Sequence, residues 1–158
     1  MREFVAIEVD IDAPIERVWQ LMTDFEGYEA WNPFIRHASC THPGPGGQLV
    51  LDVEFEDGMK RRSGQNIVRW DVPAGGEANL TYQFTGWLPR LRLISAQRVQ
   101  GLVSVGNGRC RYTTREQFWG LLVWAMPLEK VRTGIRSHAL ALKSAAEHQA
   151  QGVARTGA

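Results

Sequence analysis

From Pro127 to His148 the chain reads PLEKVRTGIRSHALALKSAAEH. Leu128, Val131, Ile135, Leu142 and Ala145 fall on one stripe at helical spacing, while Arg132, Arg136, Lys143 and Glu147 take the other faces. Pro127 suits the first turn, where a missing N–H goes unfelt. The spacing predicts a helix of roughly five turns with one buried side. His138 sits between Ile135 and Leu142 and points where that side points. A helix with a single apolar face needs a broad surface to cover, and the preceding sequence supplies strands almost throughout.

Val5, Ile7, Val9 and Ile11 alternate with polar or small residues, as a strand with one buried face does. Asp12-Ala13-Pro14 stops it and opens a short helix with Ile15, Val18, Trp19 and Met22 on its apolar side. Asp24 can cap a second short helix, which Trp31-Asn32-Pro33 ends, since a residue before proline avoids the helical region. A strand from Phe34 to His42 runs into the glycine- and proline-rich turn of 43–47. From Gln48 to Glu56 the alternation places Leu49, Leu51, Val53 and Phe55 inward. Asp57-Gly58 signals a hairpin. Closed as a two-residue turn, it sets Phe55 opposite Lys60 and Leu49 opposite Asn66, and makes Gly64, Asn66, Val68, Trp70 and Val72 the inner set. Leu80, Tyr82 and Phe84 form another inward row.

The last hairpin turns at Gly106-Asn107-Gly108, and Cys110, Tyr112, Thr114, Glu116 and Phe118 share its inner face on the return. A tight Asn-Gly turn pairs Gly106 with Arg109 and sends Val99, Val103 and Val105 inward. A three-residue loop instead puts Arg98 opposite Glu116. The valines favour the first register, and a bulge at Gly101 would let both hold in part.

Bulk numbers narrow the function. A chain of 158 residues suffices for one domain, expected over 1–150, with a short disordered tail at 151–158. Eighteen basic residues against seventeen acidic give a net charge of +1, so no field draws the protein to nucleic acid or anionic lipid. Lys60-Arg61-Arg62 follows a turn and reads as a decorated hairpin end rather than a phosphate site. Two cysteines make no disulfide framework, and the N-terminus has no signal-peptide core, so a cytoplasmic location is expected. The longest apolar run, from Trp119 to Leu128 with few breaks, is too short for stable membrane insertion. Nothing in the sequence calls for a cofactor, because no glycine-rich loop leads from a strand into a helix. A metal is not expected either: Cys40 and His42 share a strand face while His37 takes the other.

The run from Ile11 to Trp19 (IDAPIERVW), the Asp24-Phe25 turn and Trp31-Asn32-Pro33-Phe34 resemble the opening of START-like, helix-grip proteins, the SRPBCC superfamily. Gly86-Trp87-Leu88-Pro89, the run from Glu116 to Leu122 and the Ala141-Leu142-Lys143 ending extend the resemblance over residues 4–148. Within the superfamily the chain looks most like the polyketide cyclase/dehydrase family. The resemblance implies an α+β fold: a curved antiparallel sheet of six to seven strands wrapped around the C-terminal helix, with two short helices after the first strand. A cavity would lie between sheet and helix. Its expected lining is Trp31, Phe34, Leu51, Val53, Phe55, Tyr82, Phe84, Tyr112, Phe118, Ile135 and Leu142, with Arg98 among the ligand-binding residues. Relatives often carry a methionine and an asparagine where this chain has His138 and Ala139, and a histidine where it has Arg98 and Gln100. The lining is therefore more polar than the family habit.

The ligand suggested is a hydrophobic or aromatic small molecule, polyketide-like or lipid-like, bound by a monomer or homodimer. The alternatives are a cyclase, aromatase or dehydratase working by positioning and acid–base catalysis, or a lipid or quinone carrier that docks on membranes. Glu116 and His138 are the candidate catalytic groups. Their plain readings are a carboxylate paired with Arg98 or meeting water, and a histidine packed at a helix edge.

Overall fold

The computed structural model describes the backbone of residues 2–156 and the side chains of 4–148. Seven strands form one antiparallel sheet: β1 (Arg2–Ile11), β2 (Ile35–Cys40), β3 (Gln48–Glu54), β4 (Lys60–Ala74), β5 (Glu77–Phe84), β6 (Ser95–Gly106) and β7 (Arg109–Trp119). They lie in the order β1-β7-β6-β5-β4-β3-β2, so every neighbour but β1 is joined by a hairpin. Helix α1 (Ile15–Thr23) and a 3-10 turn (Glu26–Ala30) follow β1. A four-residue helix α2 (Trp87–Arg90) and a second 3-10 turn (Val123–Ala125) sit in the connections, and α3 (Leu128–Thr156) closes the chain. The curved sheet grips α3, the helix-grip arrangement.

Helix α3 buries Val131, Ile135, His138 and Leu142 of the stripe its sequence implies, adds Ala139 and Ala146, and leaves Leu128 and Ala145 half-buried. Its far half rests on β1 and α1 and is pinned there: Lys143 Nζ donates to the Asp10 carbonyl at 2.6 Å and to Glu147 at 2.7 Å, and Glu147 accepts the Asp12 N–H at 2.9 Å. Its first turn is tied by Lys130 Nζ to Asp57 at 2.5 Å. The backbone stays helical through Thr156, past His148 where the amphipathic stripe ends. Of the tail expected at 151–158, the side chains and the last two residues lie outside the described residues.

Two registers differ from the sequence reading. The β3–β4 turn is not a two-residue one. Phe55 N–H donates to the Met59 carbonyl and Gly58 N–H to the Phe55 carbonyl, with Gly58 at φ +81, a three-residue loop with glycine in the left-handed position. Leu49 therefore faces Gln65, and Glu54 faces Lys60. Ser63, Gln65 and Ile67 take the inner face, and a bulge at Val68 then brings in Trp70 while Val68 and Val72 stay exposed. In the last hairpin the turn is tight, with Gly106 opposite Arg109, but a bulge at Val105 shifts the pairing beyond it. Arg98 thus faces Glu116, and Val103 and Val105 point outward. The bulge sits next to the turn rather than at Gly101.

Candidate functional site: an apolar cavity with a buried arginine

Beneath the first half of α3 a cavity of about 640 Å³ lies between sheet and helix. That is within the roughly 300–1,000 Å³ usual for small-molecule sites. Phe34 just before β2, Ile35 of β2, Leu51 and Val53 of β3, and Phe55 from the turn form one wall. Tyr82 and Phe84 of β5, Ala96 of β6 and Phe118 of β7 form the floor. Leu88, Ile94, Ala125 and Met126 come from the two connections, and Lys130 and Val131 from α3. Arg61 and Arg62 are exposed lining residues on β4, and Arg62 Nε stands 3.5 Å from Asp52.

Polar groups form a row across the sheet. Tyr82, Arg98 and Glu116 are direct cross-strand neighbours on β5, β6 and β7. Arg98 is only 3% exposed. Its Nε donates to Thr114 Oγ1 at 3.0 Å, and its Nη2 is buried with no acceptor. Burial works against its charge, but Tyr82, Tyr112 and Glu116 around it outweigh that, so the guanidinium stays protonated. Burial pushes the Tyr82 hydroxyl up to about 12, and raises Tyr112 too, so both remain neutral phenols. Burial also raises the Glu116 carboxyl, and the nearby Arg98 opposes this only in part. Glu116 and Arg98 are not within ion-pair distance. Both line the cavity, a cation and a carboxyl free to face a ligand separately.

A second set of donors lies further in. Tyr112 donates its hydroxyl to Gln100 Oε1 at 2.6 Å, leaving Gln100 Nε2 buried without a partner. Asn32, wholly buried, accepts the N–H groups of Phe34 and Ile35 on its Oδ1 and turns its amide nitrogen to His138 Nδ1 at 2.7 Å. Nδ1 must therefore accept, which puts the histidine proton on Nε2, itself buried without an acceptor. Burial, with Arg98 adding to it, lowers the His138 pKa well below its ordinary value, so the ring is neutral. It packs edge-on to Tyr28 and tilted against Trp31 and Tyr112.

Of the expected ligand-binding residues, Phe34, Leu51, Val53, Phe55, Tyr82, Phe84, Arg98 and Phe118 are on the cavity wall, and so is the candidate catalytic Glu116. Tyr112, Ile135, Leu142 and His138 are fully buried behind it, where the far half of α3 meets the sheet, and half-buried Trp31 packs on Tyr28 and His138. His138, the candidate proton shuttle, is neutral and lies behind the cavity wall rather than on it. The sequence reading missed Asn32, Ser63 and Gln65. A slipped β3–β4 register hid the last two, whereas Asn32 was visible as a polar residue in a Trp-Asn-Pro-Phe turn. His37 is exposed and Cys40 half-buried with its thiol on the His42 carbonyl. Among the described residues no three such side chains are grouped to hold a metal.

A curved sheet gripping one long helix over an apolar cavity defines a START-like, ligand-binding class of fold. The chain belongs to the polyketide cyclase/dehydrase and lipid transport family, whose sequence model matches residues 4–147. Among curated proteins none matches by sequence. Among solved structures, the chain is similar to the Zhui aromatase/cyclase from Streptomyces sp. R1128, with TM-score 0.75 and 16% identity over 95% of this chain and 96% of that one. It is also similar to a START superfamily protein from Mycobacterium smegmatis, with TM-score 0.69 and 21% identity over 92% and 98%. Norcoclaurine synthase from Thalictrum flavum gives TM-score 0.68 and 13% identity over 94% and 97%. At these identities the likeness is one of fold.

Proposed function

We propose that the protein binds a hydrophobic small molecule carrying an acceptor oxygen, a ketone, carboxylate or enolate, with its apolar body against the phenylalanine wall and its oxygen on Arg98. The observation that carries this is Arg98, a buried cation on the wall of a mostly apolar cavity whose Nη2 has no acceptor within the protein. Leaving such a donor unpaired costs on the order of 1–3 kcal/mol, which a ligand oxygen would recover. Native mass spectrometry of protein from its own host, followed by denaturing extraction, tests the reading. A bound oxygen-bearing apolar molecule supports it; a hydrocarbon without an acceptor, or a chain that takes up no oxygenated aromatic at all, contradicts it.

A second reading, favoured by Glu116, is catalysis on that ligand. Arg98 would stabilise negative charge developing on the carbonyl oxygen, and Glu116, its pKa raised by burial, would move a proton at a neighbouring carbon or hydroxyl. Cyclisation and dehydration of a polyketide-like chain both develop charge on oxygen and require a proton transfer. With the extracted ligand as substrate, Glu116→Gln should abolish turnover and leave affinity intact. A variant that turns over normally removes Glu116 from the chemistry.

A further inference from the structure

The two connections that wall the cavity carry a second feature on their outer side. Trp87 is 65% exposed on α2 and Leu91 60% exposed just after it; Leu121 and Trp124, 73% and 70% exposed, lie between β7 and α3. The two segments are laced together by Leu121 N–H to the Arg92 carbonyl at 3.1 Å and Leu122 N–H to the Leu93 carbonyl at 2.9 Å. Pro89, Arg92, Trp119, Leu121 and Trp124 line one shallow cleft, and the exposed Trp87 and Leu91 stand beside Pro89 and Arg92 on the same connection. The neighbours of the exposed residues point the other way: Leu88, Ala125 and Met126 line the cavity. One thin wall therefore has an apolar ligand site on one side and exposed tryptophans and leucines on the other.

Charge distinguishes what this face meets. From Thr85 to Ser95 and from Phe118 to Leu128 there is no acidic residue, and the two charges are the exposed Arg90 and Arg92. A two-fold contact between copies of the chain would press that cationic patch against itself. A lipid interface suits it instead: tryptophan rings settle at the headgroup level, leucines reach the acyl boundary, and arginines meet anionic headgroups. We propose that the face formed by Trp87, Leu91, Leu121 and Trp124, flanked by Arg90 and Arg92, docks on an anionic membrane surface, so that the cavity wall lies at the lipid.

Co-sedimentation of the full chain with phosphatidylcholine vesicles, with and without phosphatidylglycerol, tests this. Wild type should pellet with the anionic vesicles, and a Leu121→Glu/Trp124→Glu variant should partition at least about tenfold less. Arg90→Glu should erase the preference for phosphatidylglycerol. Fluorescence of anilinonaphthalene sulfonate in the cavity, retained by these surface variants, shows that the fold and the ligand site are intact and scores the cavity reading separately. Absence of binding to both vesicle types, or pelleting unchanged in the double variant, overturns the proposal. So does concentration-dependent self-association of wild type that the double variant abolishes, which would make the face a protein contact.

Discussion

The ring of Phe34 lies against the bare backbone of Gly134, so close that a Cβ on Gly134 would stand 2.3 Å from the ring. Phe34 is a cavity wall residue just before β2 and Gly134 an interior residue of α3, so this contact sets how near the helix comes to that edge of the sheet. An interior glycine costs a helix about 1 kcal/mol relative to alanine, and here the close approach of the ring requires it. Gly134→Ala should therefore destabilise the protein by roughly 1–3 kcal/mol despite the better helix propensity. In a Phe34→Ala background the sign should reverse, with alanine stabilising by up to about 1 kcal/mol. Urea melts of the four proteins measure the cycle, and additive effects would show that the contact is not tight.

Asn32 joins three buried groups, the N–H of Phe34, the N–H of Ile35 and Nδ1 of His138. Asn32→Ala leaves all three unpaired and should cost about 3 kcal/mol, read as a lower denaturation midpoint.

His138 gives the protein an acid sensitivity. Its folded pKa lies well below the 6.5 of an unperturbed histidine, so between those values the unfolded chain holds the extra proton. Its contribution is complete above pH 6.5 and is lost as pH falls toward the folded value, with a slope approaching about 1.4 kcal/mol per pH unit. His138→Gln, whose amide oxygen can still accept from Asn32, should flatten stability between neutral pH and the acid limb. An unchanged profile would mean that the ring titrates normally in the folded protein.

Glu116 acts in the opposite direction. Its folded pKa is raised above 4.5, so the folded protein binds the proton more tightly. Stability from this group is full below pH 4.5 and is lost as pH rises through the folded value. Glu116→Gln should remove that loss and leave the variant at least as stable as wild type at neutral pH. Arg98→Met should push the Glu116 pKa higher still, because the guanidinium is what holds it down, and carboxyl NMR titration reads both shifts directly.

Much of this architecture was legible in the chain, and the exceptions share a cause. The period-two rows of β1, β3 and β5 show their buried faces because their apolar pattern is regular, and β7 and the stripe on α3 keep their periods despite Thr114, Glu116 and His138. The registers of β4 and β6 were not legible. In β4 the three-residue turn, and in β6 the bulge at Val105, shift the pairing by one residue, which flips the strand's faces without altering the composition. The inner faces of those strands also carry Gln65, Arg98 and Gln100, polar residues that alternation assigns to water. Their burial depends on partners distant in sequence, Thr114 and Tyr112 among them, and on the cavity itself. The cluster at His138 followed the same rule: the stripe placed it inward, but only the Asn32 contact fixed its tautomer.

The most direct measurement is the affinity of anilinonaphthalene sulfonate, an apolar aromatic with an anionic oxygen group, for wild type and Arg98→Met. Methionine fills the space of the arginine stem and removes the charged donor, and thermal melts check that the variant folds. We expect one site per chain in wild type, and at least about tenfold weaker binding in the variant, or 1.4 kcal/mol. Equal affinity for the two proteins, with both folded, would show that the buried guanidinium does not hold the ligand and would contradict the proposed function.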